Sequence, residues 1–186
     1  WEAAHRLSED SSAKDIRLIP SVIGGSEENR HGIVLAKSPS AKAFHIHTGE
    51  PLVNARRKCP ELVVIPPNYA LYVSNSHKFI ELLRAYAPVV EQYSIDEAFC
   101  DMTGTSRIYG SPVEFAEKLK NKIAEELGFT VNIGVSSNRL LAKMASDFEK
   151  PNRVHTLFPE EIPTKMWPLP VDDLFFVGRT TSQRLH

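Results

Sequence analysis

Apolar and polar positions in the first third of the chain alternate and break in a pattern that predicts a small α/β unit. Residues 20–37 have the composition of a β-hairpin, with two short apolar runs separated by a glycine-rich polar loop. Residues 51–60 begin and end with proline and carry apolar side chains at helical spacing, which predicts a short helix. The apolar run at 62–65 predicts a buried strand.

The next segment predicts a long helix followed by a hairpin. Apolar and aromatic residues recur at close to helical spacing over 69–86. Two strands are predicted after this helix, at 89–95 and 98–102, with only Asp96 and Glu97 between them. A turn this short would hold both carboxylates rigidly at the end of a sheet.

A second helix, a strand and a third helix follow along the chain. Ser111 and Glu114 have the spacing of a capping box and predict the start of a helix that ends at Gly128. Residues 129–135 alternate strictly, which is typical of a half-buried strand. A polar turn then precedes a predicted helix that extends over 138–148.

The remaining residues predict one more strand at 154–158, a proline-rich connection and the start of a small helical unit. Each predicted helix has one apolar stripe to bury. The order of elements therefore indicates an α+β fold in which helices cover one face of a sheet.

The composition excludes some classes of protein but does not by itself identify a function. The 186 residues include 42% hydrophobic and 24% charged residues with a formal net charge of -1, and no apolar run is long enough to span a membrane. Cys59 and Cys100 have no CxxC spacing, which argues against a zinc ribbon or a disulfide framework and favours a reducing cytosol. Basic residues cluster at 56–58 and again over 139–153, so local basic patches are possible on a nearly neutral chain.

Asp96 and Glu97 are the first candidates for chemistry. Adjacent carboxylates suit Mg²⁺, which binds one or two protein carboxylates together with phosphates and waters. The alternative is that they are ordinary solvated turn residues. Asp101 approaches the same edge in the predicted hairpin, where a structural hydrogen bond is an equally good interpretation.

Lys143 and Lys150 are the second candidates, because two turns of helix would place both ammonium groups on one face, where they could bind a polyphosphate. The alternative is a solvated basic helix face. His31, His45 and His47 lack the spacing of metal ligands. An acid pair followed by a basic helix is typical of a two-metal phosphoryl-transfer site.

The motifs around these residues resemble those of Y-family DNA polymerases. Residues 93–101 read YSIDEAFCD, and residues 134–152 contain GVSSN, LAKMASD and KPN, which resemble two long motifs of that family. Residues 32–60 resemble its fingers, so the resemblance covers nearly the whole chain and is greatest to the bacterial polymerase IV branch.

This resemblance implies a division into fingers (1–67), a ferredoxin-like palm (68–158) and the start of a thumb with a helix-hairpin-helix (159–186). It also implies that the first palm strand, with a third metal-binding aspartate and a sugar-discriminating aromatic residue, precedes Trp1. We therefore expect the 186 residues to be inactive alone and the full-length protein to be a DNA polymerase.

The same resemblance implies roles for individual residues. Asp96 and Glu97 would be catalytic and hold Mg²⁺, while Lys150 and Lys42 would bind the triphosphate of the dNTP. Lys42 stands where the family usually has arginine, and Pro39 where many members have tyrosine. Primer-template DNA and dNTP are the implied partners. A sliding clamp could bind through regions outside these residues, and no membrane partner is expected.

Two other functions remain compatible with parts of the sequence. A nucleotide cyclase would use a similar sheet and acid pair, but it leaves the fingers-like residues and the KPN motif unexplained. A non-catalytic relative that binds DNA or acts as a scaffold in a repair complex is the stronger rival. Retention of both Asp96 and Glu97 argues against it, because a scaffold has no need of two adjacent, mutually repelling carboxylates.

Overall fold

A computed structural model describes residues 1–25 and 32–185 of the chain. The chain forms two compact units, Trp1–Asn75 and Ser76–His186. The division falls inside a long helix, α4 (Tyr69–Tyr86), a few residues beyond the boundary predicted at 67. The threefold division into fingers, palm and thumb stays a prediction. Within the described ranges, no helix is long and apolar enough to cross a membrane.

The first unit contains a three-stranded sheet with short helices. Its elements before α4 are α1 (Glu2–Glu9), β1 (Ser21–Gly24), β2 (Val34–Lys37), α2 (Pro39–Lys42), α3 (Leu52–Lys58) and β3 (Val63–Ile65). The strand order is β2-β1-β3, with β2 antiparallel and β3 parallel to the central strand. The predicted hairpin, helix and strand are confirmed, whereas the tip of the hairpin, including His31, lies outside the described residues.

Apolar side chains cover both faces of this first sheet. On one face Val22 and Val34 pack with Leu52 and Ala55 of α3. On the other face Ile65 packs with Ala3 and Ile16. Helix α3 begins after Pro51, as its sequence predicts, and the carbonyl oxygen of this N-cap proline accepts from the Asn54 and Ala55 amides at 3.0 and 3.1 Å.

The second unit alternates strands and helices. After α4 its elements are β4 (Val89–Gln92), β5 (Ala98–Asp101), α5 (Ser106–Tyr109), α6 (Pro112–Leu127), β6 (Ile133–Val135), α7 (Arg139–Asp147), β7 (Val154–Thr156), α8 (Ile162–Lys165) and α9 (Arg179–Leu185). Short 3₁₀ turns lie at Pro159–Glu161 and Val171–Asp173. Together with the first unit, these elements confirm the α+β class.

The strands of the second unit pair differently from the single palm sheet that we predicted. Within the described residues β4 pairs antiparallel with β5, and β6 pairs parallel with β7, as two separate two-stranded sheets. Both sheets nevertheless pack into one core, which contains Phe79 of α4, Phe115 and Ile123 of α6, and partly buried Ala98 and Ile133 from the strands. Helices α4 and α6 therefore form the predicted helical layer.

Helix α7 departs from the prediction that all helices lie on one face. Ile133 joins the core beneath α6, whereas its neighbour Gly134 faces α7, and successive residues of a strand point to opposite faces. A Cβ atom at Gly134 would lie 1.8 Å from the Ala142 carbonyl oxygen. The absence of a side chain thus lets α7 lie directly against β6.

Two local predictions were only partly correct. The alternating segment 129–135 is paired only over Ile133–Val135, because β7 offers just three residues as a partner. Ser111 is the N-cap of α6, but its side chain makes no capping hydrogen bond. Pro112 in the first turn supplies the helix start instead.

Candidate functional site

The two candidate acids lie in a five-residue loop rather than the predicted two-residue turn. Gln92 pairs with Ala98, so the loop comprises residues 93–97. The amides of Tyr93 and Ser94 donate to the Glu97 carbonyl oxygen at 2.9 and 3.1 Å. The pairing ends earlier than predicted because these two amides bond to one carbonyl and close the loop.

Side-chain contacts further restrain this loop. Gln92 donates to the Ser94 carbonyl oxygen at 3.0 Å and to the Ser76 hydroxyl at 3.1 Å. The Tyr93 ring lies edge-on to Phe99 and Phe175, with centroid distances of 5.7 and 6.3 Å. The backbone that carries Asp96 and Glu97 is therefore held by hydrogen bonds and by aromatic packing.

Asp96 and Glu97 have different environments. Asp96 is exposed, and its Oδ1 accepts a hydrogen bond of 2.8 Å from the Ser94 hydroxyl. Glu97 is half-buried, and its Oε1 accepts from Lys143 Nζ at 2.6 Å. One carboxylate is thus open to a ligand, and the other is already paired with a cation.

Lys143 begins a chain of ion pairs along α7. Its Nζ lies 2.6 Å from Glu97 and 3.3 Å from Asp147, and Asp147 in turn lies 2.7 Å from Lys150 Nζ. Only 13% of the Lys143 side chain is exposed, compared with 59% for Lys150. The exposed ammonium group is therefore the one available to an incoming anion.

The ion pairs outweigh burial in setting the charge of Lys143 and Asp147. Burial acts to lower the pKa of Lys143, but the hydrogen bond to Glu97 and the two carboxylates raise it above its ordinary value. Burial acts to raise the pKa of Asp147, but the hydrogen bond from Lys150 and the charge of Lys143 leave it lowered. Both groups are therefore charged at neutral pH.

Lys150 is not on the helical face predicted for it. Helix α7 ends at Asp147, so Lys150 lies in the loop that connects α7 to β7. Its side chain returns to the last helical residue through the pair with Asp147. The expected proximity of Lys143 and Lys150 is thus achieved through a shared carboxylate.

Lys42 belongs to the first unit, in which it is the last residue of α2 and exposed. Ser38 caps this helix by accepting from the Ala41 amide at 3.0 Å, and it also donates to the Ile19 carbonyl oxygen at 2.7 Å. The turn that carries Lys42 is thereby fixed to the strand region before β1.

The other sequence candidates have structural contacts. Asp101 accepts from the Thr103 amide at 2.9 Å, which confirms the structural interpretation of this residue. The His45 amide donates to the Lys42 carbonyl oxygen at 3.0 Å, in a loop of the first unit where His45 has a φ of 55°. Within residues 1–25 and 32–185, no group of three histidine, cysteine or acidic side chains could hold a metal ion.

Sequence reasoning missed the role of Lys143 as the partner of Glu97. It also missed Arg139, whose guanidinium group lies 4.8 Å from the Phe99 ring centroid and 2.8 Å from Glu91. The i,i+4 spacing of Lys143 and Asp147 was a readable signal for one of these contacts. The pairing with Glu97 connects residues 46 positions apart and has no local signal.

Comparison with known proteins identifies relatives of this chain. The model of the impB/mucB/samB family matches residues 7–147. DNA polymerase IV of Clostridium acetobutylicum is 50% identical over 186 residues, which is 100% of this chain and 46% of that protein. DNA polymerase IV of Moorella thermoacetica is 44% identical over 164 residues, 88% of this chain and 41% of that protein.

Solved structures have the same fold. The crystal structure of DinB from Sulfolobus solfataricus superposes with a TM-score of 0.83 and 27% identity, over 98% of this chain and 53% of that chain. An insertion ternary complex of Dbh DNA polymerase gives the same TM-score, identity and coverage. The chain spans about half the length of these relatives. It belongs to the impB/mucB/samB family and, as its motifs predicted, to the Y-family of DNA polymerases.

Proposed function

We propose that these residues belong to a template-directed DNA polymerase of the translesion and repair type, which adds dNTPs to a primer 3′-end. The observation that carries the proposal is the restrained loop 93–97, which presents Asp96 to solvent beside Glu97 in the same unit as Lys150. The names of the relatives support it, since those with up to 50% identity are DNA polymerase IV proteins.

The donor set of the loop fits Mg²⁺. Asp96 and Glu97 offer only oxygen ligands, and Mg²⁺ commonly takes one or two carboxylates and completes its shell with substrate phosphates and waters. A bound Mg²⁺ would neutralise phosphate charge during phosphoryl transfer. A third acid is absent from this cluster in the described part of the chain, so phosphates, water or an acid from elsewhere would supply the other ligands.

The residues of this chain would bind and orient the substrate. Lys150, on its exposed loop, would contact the β- and γ-phosphates of the dNTP. Lys42, in the first unit, is also proposed to bind dNTP triphosphate, as a point charge without the bidentate fork of arginine. Asp96 and Glu97 would hold the reacting centre in place, so that the rate gain comes from positioning and electrostatics.

We further propose the fingers, palm and thumb boundaries given above, primer-template DNA and dNTP as partners, and any clamp contact through regions outside these residues. The two free thiols suit a reducing compartment, and we propose the cytoplasm. We expect the 186 residues alone not to extend a primer, because two carboxylates form an incomplete two-metal site.

A scaffold function also has an observation in its favour, because the pair between Glu97 and Lys143 gives Glu97 a purely structural contact. Primer extension with Mg²⁺ and dNTPs distinguishes the two functions. The full-length parent protein should extend a primer, and its Asp96→Ala/Glu97→Ala double variant should lose at least about a thousandfold in rate, as expected when the charge-stabilising groups are removed.

The matched control is Glu125→Ala, which removes an exposed carboxylate on α6 and should extend primers at the parental rate. If neither the parent nor the double variant extends the primer while both bind DNA equally, the protein is a scaffold and the polymerase proposal is wrong.

A further inference from the structure

The side chain of Asn132 makes three hydrogen bonds to backbone atoms around the loop that carries Lys150. Its Nδ2 donates to the Ser146 carbonyl oxygen at 3.1 Å and to the Glu149 carbonyl oxygen at 2.7 Å. Its Oδ1 accepts from the Arg153 amide at 3.0 Å. Both amide protons and the carbonyl oxygen are therefore used in a single local arrangement.

The positions of these partners explain what the contacts achieve. Ser146 lies in the last turn of α7, where carbonyl oxygens lack helical partners. Glu149 and Arg153 lie on either side of Lys150 in the loop before β7. Asn132, which immediately precedes β6, therefore ties the end of α7 and both sides of the loop to the start of that strand.

Other side-chain contacts to the backbone of this loop are longer. Lys120 Nζ lies 3.3 Å from the Asn152 carbonyl oxygen, and His155 Nε2 lies 3.3 Å from the Glu149 carbonyl oxygen. The ion pair between Asp147 and Lys150 orients the lysine side chain but does not hold the loop backbone. Asn132 supplies the two shortest of these side-chain contacts to the loop backbone, at 2.7 and 3.0 Å.

We infer that Asn132 is a positioning residue for Lys150 and thereby sets the affinity of the enzyme for the triphosphate of the incoming dNTP. The inference rests on the proposed function, in which Lys150 contacts the β- and γ-phosphates. Asn132 itself touches no substrate. Its effect is to keep the backbone of Lys150 ordered before the dNTP arrives, so that less ordering remains to be done on binding.

Steady-state primer extension by the full-length parent protein tests this inference. We expect Asn132→Ala to raise the KM for dNTP by roughly tenfold, with kcat changed less than about twofold, because lost ground-state positioning appears in KM. Asn132→Asp keeps the acceptor for Arg153 and loses both donors, and we expect it to act in the same direction. This isosteric variant also tests the inference if Asn132→Ala does not fold.

A double-mutant cycle separates positioning from general destabilisation. If Asn132 acts through Lys150, the effect of Lys150→Ala on KM should be several times smaller in the Asn132→Asp background than in the parent. Hydrogen exchange should increase at 148–153 in Asn132→Asp and remain parental at the 93–97 loop. The matched control is Asn75→Ala, which removes one hydrogen bond, to the Leu71 carbonyl oxygen, and should leave KM unchanged.

The outcomes distinguish this inference from the function on which it rests. Independent, multiplicative effects of Asn132→Asp and Lys150→Ala would overturn the positioning role and leave the polymerase proposal intact. A parental KM in Asn132→Asp would do the same. If Lys150→Ala itself leaves KM unchanged, the proposed role of Lys150 fails and the inference with it. A parent that does not extend primers overturns both.

Discussion

Gly134 has no side chain, and this allows β6 and α7 to approach each other closely. A side chain at position 134 would clash with the Ala142 carbonyl oxygen and the Ser146 amide nitrogen, which are backbone atoms of α7. Such atoms cannot move aside by a rotamer change. The residue therefore determines where α7 lies, and with it Lys143 and the beginning of the Lys150 loop.

We expect Gly134→Ala to lower the free energy of unfolding by about 3 kcal/mol, at the upper end of the range for overpacking. Urea unfolding monitored by circular dichroism measures this change. Gly178→Ala is the control, because a Cβ atom there meets nothing within 4 Å, and its cost should stay below about 1 kcal/mol. Equal costs for the two variants would contradict the packing argument.

Lys143 is the residue that neutralises Glu97 in this structure. Removing its charge should make divalent cations bind more tightly beside Asp96, because a cation no longer competes for the same carboxylate. We expect Lys143→Gln in the full-length parent to bind Mn²⁺ about fivefold more tightly, an effect of about 1 kcal/mol. Electron paramagnetic resonance of free Mn²⁺ measures this affinity.

Lys165→Gln is the control for that measurement, since it removes a lysine that pairs with Glu161 instead. Weaker Mn²⁺ binding by Lys143→Gln would contradict this competition. It would show that Lys143 orients the Glu97 carboxylate for the metal ion.

At the scale of elements, Glu161 joins the end of β7 to α8. Its carboxylate accepts from Lys165 Nζ at 2.5 Å, from the Phe158 amide at 2.7 Å and from the Thr156 hydroxyl at 2.9 Å. The hydrogen bond from Lys165, followed by that from the Phe158 amide, lowers its pKa from 4.5 to about 2. One side chain thus connects a strand, a 3₁₀ turn and a helix.

This lowered pKa predicts the direction of a pH effect. A carboxyl group with a lower pKa in the folded state stabilises the fold above its unfolded pKa, and this contribution is lost as pH falls from about 4.5 towards 2. Glu161→Gln should therefore have a lower melting temperature than the parent at pH 7, and the difference should shrink as the pH falls below 4.5.

Thermal unfolding at pH 7, 4.5 and 3 measures that convergence. Glu160→Gln, which changes an exposed neighbouring carboxylate, serves as the comparison and should show no such narrowing. If the melting temperatures of Glu161→Gln and the parent differ by the same amount at all three pH values, the ionised form of the Glu161 carboxylate does not stabilise the fold.

At the scale of the whole molecule, charge limits how strongly these 186 residues can bind DNA by themselves. The chain has 22 basic and 23 acidic residues, and many lysines and arginines are paired, including Lys143, Lys58 and Arg139. Non-specific DNA binding depends on the number of phosphates that a protein neutralises. The chain therefore carries no excess of positive charge to attract a phosphate backbone.

We expect the 186-residue chain to bind a primer-template duplex with a Kd weaker than about 10 µM at 150 mM salt, within the non-specific range, and with a shallow salt dependence. Fluorescence anisotropy between 50 and 200 mM salt measures both quantities. The full-length parent protein is the comparison and should bind more tightly. Submicromolar binding by the chain alone would contradict the charge argument.

Local sequence patterns were sufficient to predict the α+β class, the limits of α4, the hairpin of the first unit and the candidate acids. These features depend on neighbours within a few residues: apolar periodicity, the proline at the start of α3 and the asparagine cap of α7. The family motifs are likewise contiguous, so they could be read without a fold.

Tertiary packing, in contrast, determines which side chains meet. The pair between Glu97 and Lys143, the three bonds of Asn132 and the face on which α7 packs all connect residues that are distant in sequence. It also determined that 93–97 is a five-residue loop and that only three residues of 129–135 pair as a strand. The periodicity of apolar residues specifies which side chains face a core. Which side chains they contact there depends on how the helices and strands pack together.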